Sequence, residues 1–271
     1  MHVRHLLVAG FFASAALLAG QSGPAPAREI QTVVRASTNA AVSQYLVAIP
    51  HFAFGGTWRT QFVITNTSSA SADVTLNYFG DNGSPLGLPF SGVSTNSSTV
   101  TVPGNGQVVI EPDYQGSSSV GGWAGVVYTN SGVKIQGIFL WHNPSTPAGQ
   151  YLQATAPMIN QSGAACIVPL PGPASSYTMP FDETGGMFSG YGFANTTASA
   201  VTMTLTFYDQ NGQSVGQYSE QLAGFGHDQF LVRDKVTGAL GKSGTMVVGG
   251  QGVVPLGFRF NPDYTFTTWL P

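Results

Sequence analysis

In Val201-Thr202-Met203-Thr204-Leu205-Thr206-Phe207 every second residue is apolar and every residue between is threonine. A strand turns successive side chains to opposite faces, so this run sets one face on a core and the other in water. Ala72 to Tyr78 alternates in the same way. Both runs lead into an Asn-Gly pair, Asn82-Gly83 and Asn211-Gly212, whose tolerance of positive φ predicts a two-residue type I′ hairpin turn. Further strands are predicted at Gln61 to Thr65, Thr99 to Val102, Gln107 to Glu111, Gly125 to Tyr128 and Val133 to Trp141. Others follow at Tyr191 to Ala194, Gln217 to Leu222, Asp228 to Val232, Gly244 to Val248 and Val253 to Phe260. No stretch has a long helical period, and only Arg28 to Ser43 and Arg233 to Leu240 have room for a helical turn or two.

The pattern occurs twice. Pro50-x4-Gly55-Gly56-x-Trp58 returns as Pro180-x4-Gly185-Gly186-x-Phe188, each time with an apolar residue before the proline. Asn66-Thr67-Ser68 matches Asn195-Thr196-Thr197, Gly104-x-Gly106 matches Gly224-x-Gly226, and Asn143-Pro144 matches Asn261-Pro262. The loop after the Asn-Gly turn is shorter in the second copy. About seven short strands in each copy, separated by turn signals, predict an all-β chain of two tandem Ig-like antiparallel β-sandwich repeats. The expected boundaries are a signal peptide at 1–27, an N-terminal linker at 28–44, the first repeat at 45–158, a Pro/Ser/Gly-rich connector at 159–174 and the second repeat at 175–271.

Composition narrows the partners. Charged residues are 8% of the chain and the net charge is −3, so nine Lys and Arg spread over 271 residues cannot neutralise a run of phosphates. Nucleic acid is excluded as a partner on that ground. Arg4 before the apolar stretch Leu6 to Gly20, then Ala25-Pro26-Ala27, reads as an export signal cut after Ala27. That stretch is shorter than the roughly 20 residues a span needs, so the mature chain is expected to have no membrane span and to be secreted, on the cell surface or periplasmic. Gln21 stands where a lipid-anchor cysteine would be required. The only cysteine, Cys166, sits in an apolar run and reads as a buried thiol, so no intramolecular disulfide can form.

Pro50-His51-Phe52-Ala53-x-Gly55-Gly56-x-Trp58-x-Thr60, with the second-copy run Pro180 to Asn195 and the ending Leu256-Gly257-Phe258-Arg259-Phe260-Asn261, resembles a β-sandwich module of secreted soil-bacterial proteins, acidobacteria in particular. The resemblance spans roughly residues 45 to 271. It implies fold and compartment, and it carries no catalytic residues.

Candidate chemistry is sparse. His51, His142 and His227 are isolated from one another, and neither paired His nor paired Cys spacing is present, so no metal and no cofactor are expected. His227-Asp228 is the one suggestive pair, but it sits where Gln107-Val108 stands in the first copy and no metal or acid-base role is expected of it; Asp182-Glu183 reads as a solvated loop, and Asp81-Asn82-Gly83 reads as turn chemistry. Gly241-Lys242-Ser243 lacks the first glycine of a phosphate loop, since Val236 stands there, and no Gly-x-Ser-x-Gly elbow occurs. The candidate ligand-binding aromatics are Tyr114, Trp123, Trp141 and Tyr264, whereas Trp58 and its counterpart Phe188 are expected in the core. These features lead to an expected secreted, non-catalytic structural or interaction module. Polysaccharide or another extracellular protein is the expected partner class, a carbohydrate-binding or adhesion module is the first alternative, and an extracellular hydrolase is the last. Exposed edge strands with few charges also allow self-assembly.

Overall fold

The computed structural model describes residues 47–56, 58–113, 118–129, 132–141, 152–153, 168–169, 176–262, 266–269 and 271. The expected export signal and linker, with His142 and Cys166, lie outside the described residues. The chain is all-β and its sheets are antiparallel. The first half contributes β1 (Val47–Phe54), β2 (Trp58–Asn66), β3 (Ala72–Phe79), β4 (Leu88–Phe90), β5 (Val93–Thr95), β6 (Ser97–Val102), β7 (Gln107–Ile110), β8 (Val120–Tyr128), β9 (Val133–Trp141), β10 (Leu152–Gln153) and β11 (Val168–Pro169). The second contributes β12 (Tyr177–Asp182), β13 (Phe188–Asn195), β14 (Val201–Asp209), β15 (Ser214–Leu222), β16 (His227–Leu231), α1 (Val232–Lys235), β17 (Ser243–Gly249), β18 (Val253–Phe260) and β19 (Phe266–Trp269).

Two sheets of the first half run β11-β1-β8-β3-β6 and β10-β9-β2-β7, and two of the second run β12-β17-β14-β15 and β16-β13-β18-β19. The order β1-β8-β3-β6 is matched by β12-β17-β14-β15, and β7-β2-β9-β10 by β16-β13-β18-β19. The longer loop of the first half holds the β4–β5 hairpin, which buries Leu88 and Phe90 in the first core.

Residues that recur in sequence recur because they close the same backbone. Asn66 is fully buried: its Nδ2 donates to the carbonyls of Ala70 (2.7 Å) and Val102 (3.3 Å), and its Oδ1 accepts from the Ser68 N–H and hydroxyl. Asn195 repeats this with Ser199 O (2.8 Å), Ala223 O (2.7 Å) and the Thr197 N–H and hydroxyl. The matching Gly-x-Gly turns lie against these loops so closely that a Cβ on Gly104 would stand 2.0 Å from Ser69 O, and one on Gly224 2.1 Å from Ala198 O. Buried Thr60 brackets the Gly55-Gly56 turn by donating to Ala53 O and accepting from Ala53 N–H, as Ser189 does with Asp182.

The Asn-Gly turns are not type I′. Only the glycines, Gly83 and Gly212, have positive φ, whereas type I′ needs both central residues there. The bonds Gly212 N–H to Asp209 O and Asp209 N–H to Gln213 O define a three-residue loop with glycine at its left-handed position, and Gly80 to Ser84 repeats it. Arg233 to Leu240 does hold short helix, α1 followed by a 3-10 turn at Thr237–Ala239.

One strand departs from its counterpart. In β12 the core side chains Met179 and Phe181 alternate regularly, and Pro180 pairs in register with Thr245. In β1 the ladder shifts between Ile49 and Phe52, around Pro50, which has no N–H to give. The extra residue changes the phase of the strand, so Ile49 and Phe52 both enter the first core and His51 is turned to the opposite face.

That opposite face is covered by the second half. β1 and β13 are buried on both faces, where a sheet with one wet face would alternate. β1 runs against β13 and β18, and β8 against β16. Gly190, Gly192 and Ala194 form the facing side of β13, and their small size brings the two sheets together: a Cβ on Gly192 would lie 2.5 Å from His51 Cβ. Trp123 anchors this seam, fully buried, stacked 4.9 Å from Phe79, with its indole N–H donating to Phe225 O at 2.7 Å. Phe225 holds φ +56°, unusual for a bulky residue, and places its ring 5.1 Å from Phe79. Leu256, Phe258 and Phe266 of the second half join the core of the first.

Candidate functional site

A chain of titratable groups crosses the seam. The Asp81 carboxylate can only accept, so His227 donates Nδ1–H to Asp81 Oδ1 at 2.7 Å. In the neutral ring His227 Nε2 then accepts from His51 Nδ1–H, 3.1 Å away. The rings are within 10° of parallel with centroids 5.2 Å apart. That spacing exceeds the N···N distance by nearly two ring radii, so the imidazoles meet end-on in one plane and are not stacked face to face. Both histidines are buried, whereas the Asp81 side chain is 64% exposed, so the chain leads from solvent into the seam. Burial, then the proximity of His227, holds His51 well below the ordinary histidine pKa and keeps it neutral.

His51 also lines a cleft of about 310 Å3 between the halves. β2 brings Trp58 to it, β18 brings Phe258 and Phe260, β16 brings Gln229, and α1 brings Asp234, with Ser119 and Gly121 at the edge of β8. The ring of Phe258 meets His51 edge-on at 5.5 Å. Gln229 lies across Gly121, where a Cβ would stand 2.7 Å from its Nε2. The arrangement presents ring surface, neutral donor-acceptor groups and one rim carboxylate to whatever enters. Among the described residues no group of three or more His, Cys, Asp or Glu is placed to hold a metal ion. Asp81, His227 and His51 are joined in series and do not converge.

His227 and Asp228 are successive on β16 and face opposite ways, and the partners of His227 come from the other half. Two expectations are corrected. Asp81 does more than shape a turn. Glu183 is not solvated: its carboxylate is buried, accepts from Ser189 N–H (2.8 Å) and Arg233 Nε (3.1 Å), and is pushed up in pKa by that burial. Asp182 accepts from Arg259 (2.9 and 3.0 Å) and Thr184; burial raises its pKa, but these bonds outweigh it and hold the carboxyl below its usual value. Both are struts of the Gly185-Gly186 turn.

Of the four aromatics expected to meet a ligand, Trp123 is sealed in the seam against Phe79 and Phe225 and presents no face to solvent. Tyr114, Tyr264 and the side chain of Trp141 lie outside the described residues. Trp58, expected at a core position, packs against the first core, and being partly buried it also lines the cleft. His51, Gln229, Phe258 and Phe260 carried no signal of their own. A signal existed in the comparison of copies, because Gly190, Gly192 and Ala194 stand where the first half has Gln61, Val63 and Thr65. A sheet face stripped of side chains in only one copy is a face that something covers.

Among the described residues no helix is long and apolar enough to cross a membrane. Compared with known proteins, the chain matches no family model and no curated protein.

Proposed function

We propose that this chain is a secreted, non-catalytic interaction module of two tandem Ig-like β-sandwich repeats, whose ligand enters the cleft at the seam between them. The cleft carries the reading: about 310 Å3, bounded by Trp58, Phe258 and Phe260, with His51, Gln229 and Asp234 as polar groups. Ligand sites are typically concave, mainly apolar, and set between domains with a few placed polar groups. The export signal and the neutral, hydroxyl-rich composition support an extracellular setting.

The matching strand orders of the halves support the tandem reading, with one modification. Lettered in chain order, the second half pairs A-F-C-D (β12-β17-β14-β15) and E-B-G (β16-β13-β18). The immunoglobulin order shares the F–C and B–E pairs but sets A beside B, D beside E and G beside F. The strands lettered A, D and G stand in the other sheet, a variant of the Ig-like plan.

The test is retention of the purified chain on insoluble polysaccharides, cell-wall material and surface proteins, with the Trp58→Ala, Phe260→Ala double variant beside it. Retention by one material that the double variant loses is the expected result. Retention that survives in the variant overturns the cleft as the site, no retention overturns the binding role, and release of soluble product from the retained material overturns the non-catalytic reading.

A further inference from the structure

The chemistry of the cleft lining selects a ligand class, given that the cleft is the ligand site. We propose that it binds a single neutral sugar ring, the end residue of an uncharged glycan.

Charge comes first. Among the described residues, Asp234 is the one lining residue with a formal charge, and no Lys or Arg lines the cleft. The adjacent Arg233 is engaged by Glu183 and Met187 O and lies over the Phe188 ring, 4.4 Å from its centroid. A phosphate, sulfate or uronate would lose water there and gain no counter-charge. Acidic sugars are therefore disfavoured.

The polar groups separate a sugar from a small cation. Ser119 and Gln229 each combine donor and acceptor capacity, and neutral His51, whose Nδ1–H is given to His227, keeps Nε2 as an acceptor. A sugar hydroxyl has the same double character, so each such group can be matched. A quaternary ammonium has no hydrogen bond to offer and would take water from all three without replacing it. Asp234 at the rim adds two acceptor oxygens, suited to a pair of adjacent hydroxyls. The rings of Trp58, Phe258 and Phe260 supply apolar surface for the C–H face of the same ring. Size agrees. At about 310 Å3 the cleft is at the small end of ligand pockets, roughly 300–1,000 Å3, which favours one ring inside and the rest of the glycan leading out through the mouth.

Gly121 provides a gentle probe of this geometry. The three atoms nearest to a Cβ there all belong to the flexible amide of Gln229, so Gly121→Ala displaces that amide first. The experiment applies the full purified chain to an array of neutral, acidic and amino glycans, then titrates the best neutral sugar as its methyl glycoside, with glucuronate and choline as charged probes. Gln229→Ala and Gly121→Ala accompany the native chain, each checked for an unchanged melting profile. The expected result is retention of neutral glycans, none of glucuronate, and at least a tenfold loss of affinity in both variants. Choline or an acidic sugar bound in the cleft overturns the sugar class and leaves the cleft as the ligand site. A neutral glycan held equally well by both variants overturns the cleft itself, and an array on which no neutral glycan is retained overturns the proposal.

Discussion

His51 on β1 and His227 on β16 meet nitrogen to nitrogen at 3.1 Å, and each belongs to a different half of the chain. The bulge at Pro50 turns His51 to the seam, the absence of a side chain on Gly192 makes room for it, and Asp81 fixes the tautomer of His227 from the solvent side. A polar contact so enclosed requires both partners in register, so the pair reports whether the halves are docked.

Acid should loosen this seam. The folded protein holds His51 neutral, with its pKa below the ordinary 6.5, whereas the unfolded chain takes up a proton near that value. Its contribution is complete above pH 6.5 and is lost as the pH falls below it, by up to about 1.4 kcal/mol per pH unit for one proton. Thermal melts at about pH 7.5, 6.5 and 5.5 should show a falling midpoint over the lower interval, and His51→Gln should flatten that fall. A midpoint unchanged throughout would mean that the pair does not couple to folding.

Gly192→Ala should be costly although its backbone is ordinary. The new Cβ would meet His51 Cβ at 2.5 Å, an atom that cannot move without the strand, and overpacking of this kind costs about 1–3 kcal/mol. Gly185→Ala is the contrast: φ is +57° and the space around it is open, so only the left-handed backbone penalty of about 1 kcal/mol applies. Urea midpoints of the two variants check the order.

Trp123→Ala should destabilise both halves together. The indole fills the seam against Phe79 and Phe225, and truncating a buried Trp costs about 3–5 kcal/mol. The first core also contains Leu256, Phe258 and Phe266 of the second half, so calorimetry of the native chain should show one transition. Two well-separated transitions would refute a shared core.

Asn66→Ala and Asn195→Ala should cost similar amounts, about 3 kcal/mol each, because each leaves two carbonyls and an N–H without its buried partner. Thr202→Ala on the exposed face of β14 should stay within about 0.5 kcal/mol. Denaturant unfolding of the three variants gives the comparison.

Much of the architecture is local and was therefore legible. Alternation along β3 and β14 needs only the pleat and one dry face, and the recurrence of Asn66 at Asn195 and of Thr60 at Ser189 needs only that the same turn be closed in the same way. The extended runs β1 and β12 were harder to read, since β1 is dry on both sides and does not alternate. The cleft was not legible at all. Its residues come from Trp58, Ser119, Gln229 and Phe260, far apart in sequence, and only the docking of one sheet on another makes them neighbours. The sequence by itself determined the all-β class and most strands of the two halves, which depend on the pleat and on contacts within one half. The tertiary structure alone decided that His227 answers His51 and not Asp228, because strand pairing sends neighbours in sequence to opposite faces and brings distant residues onto one.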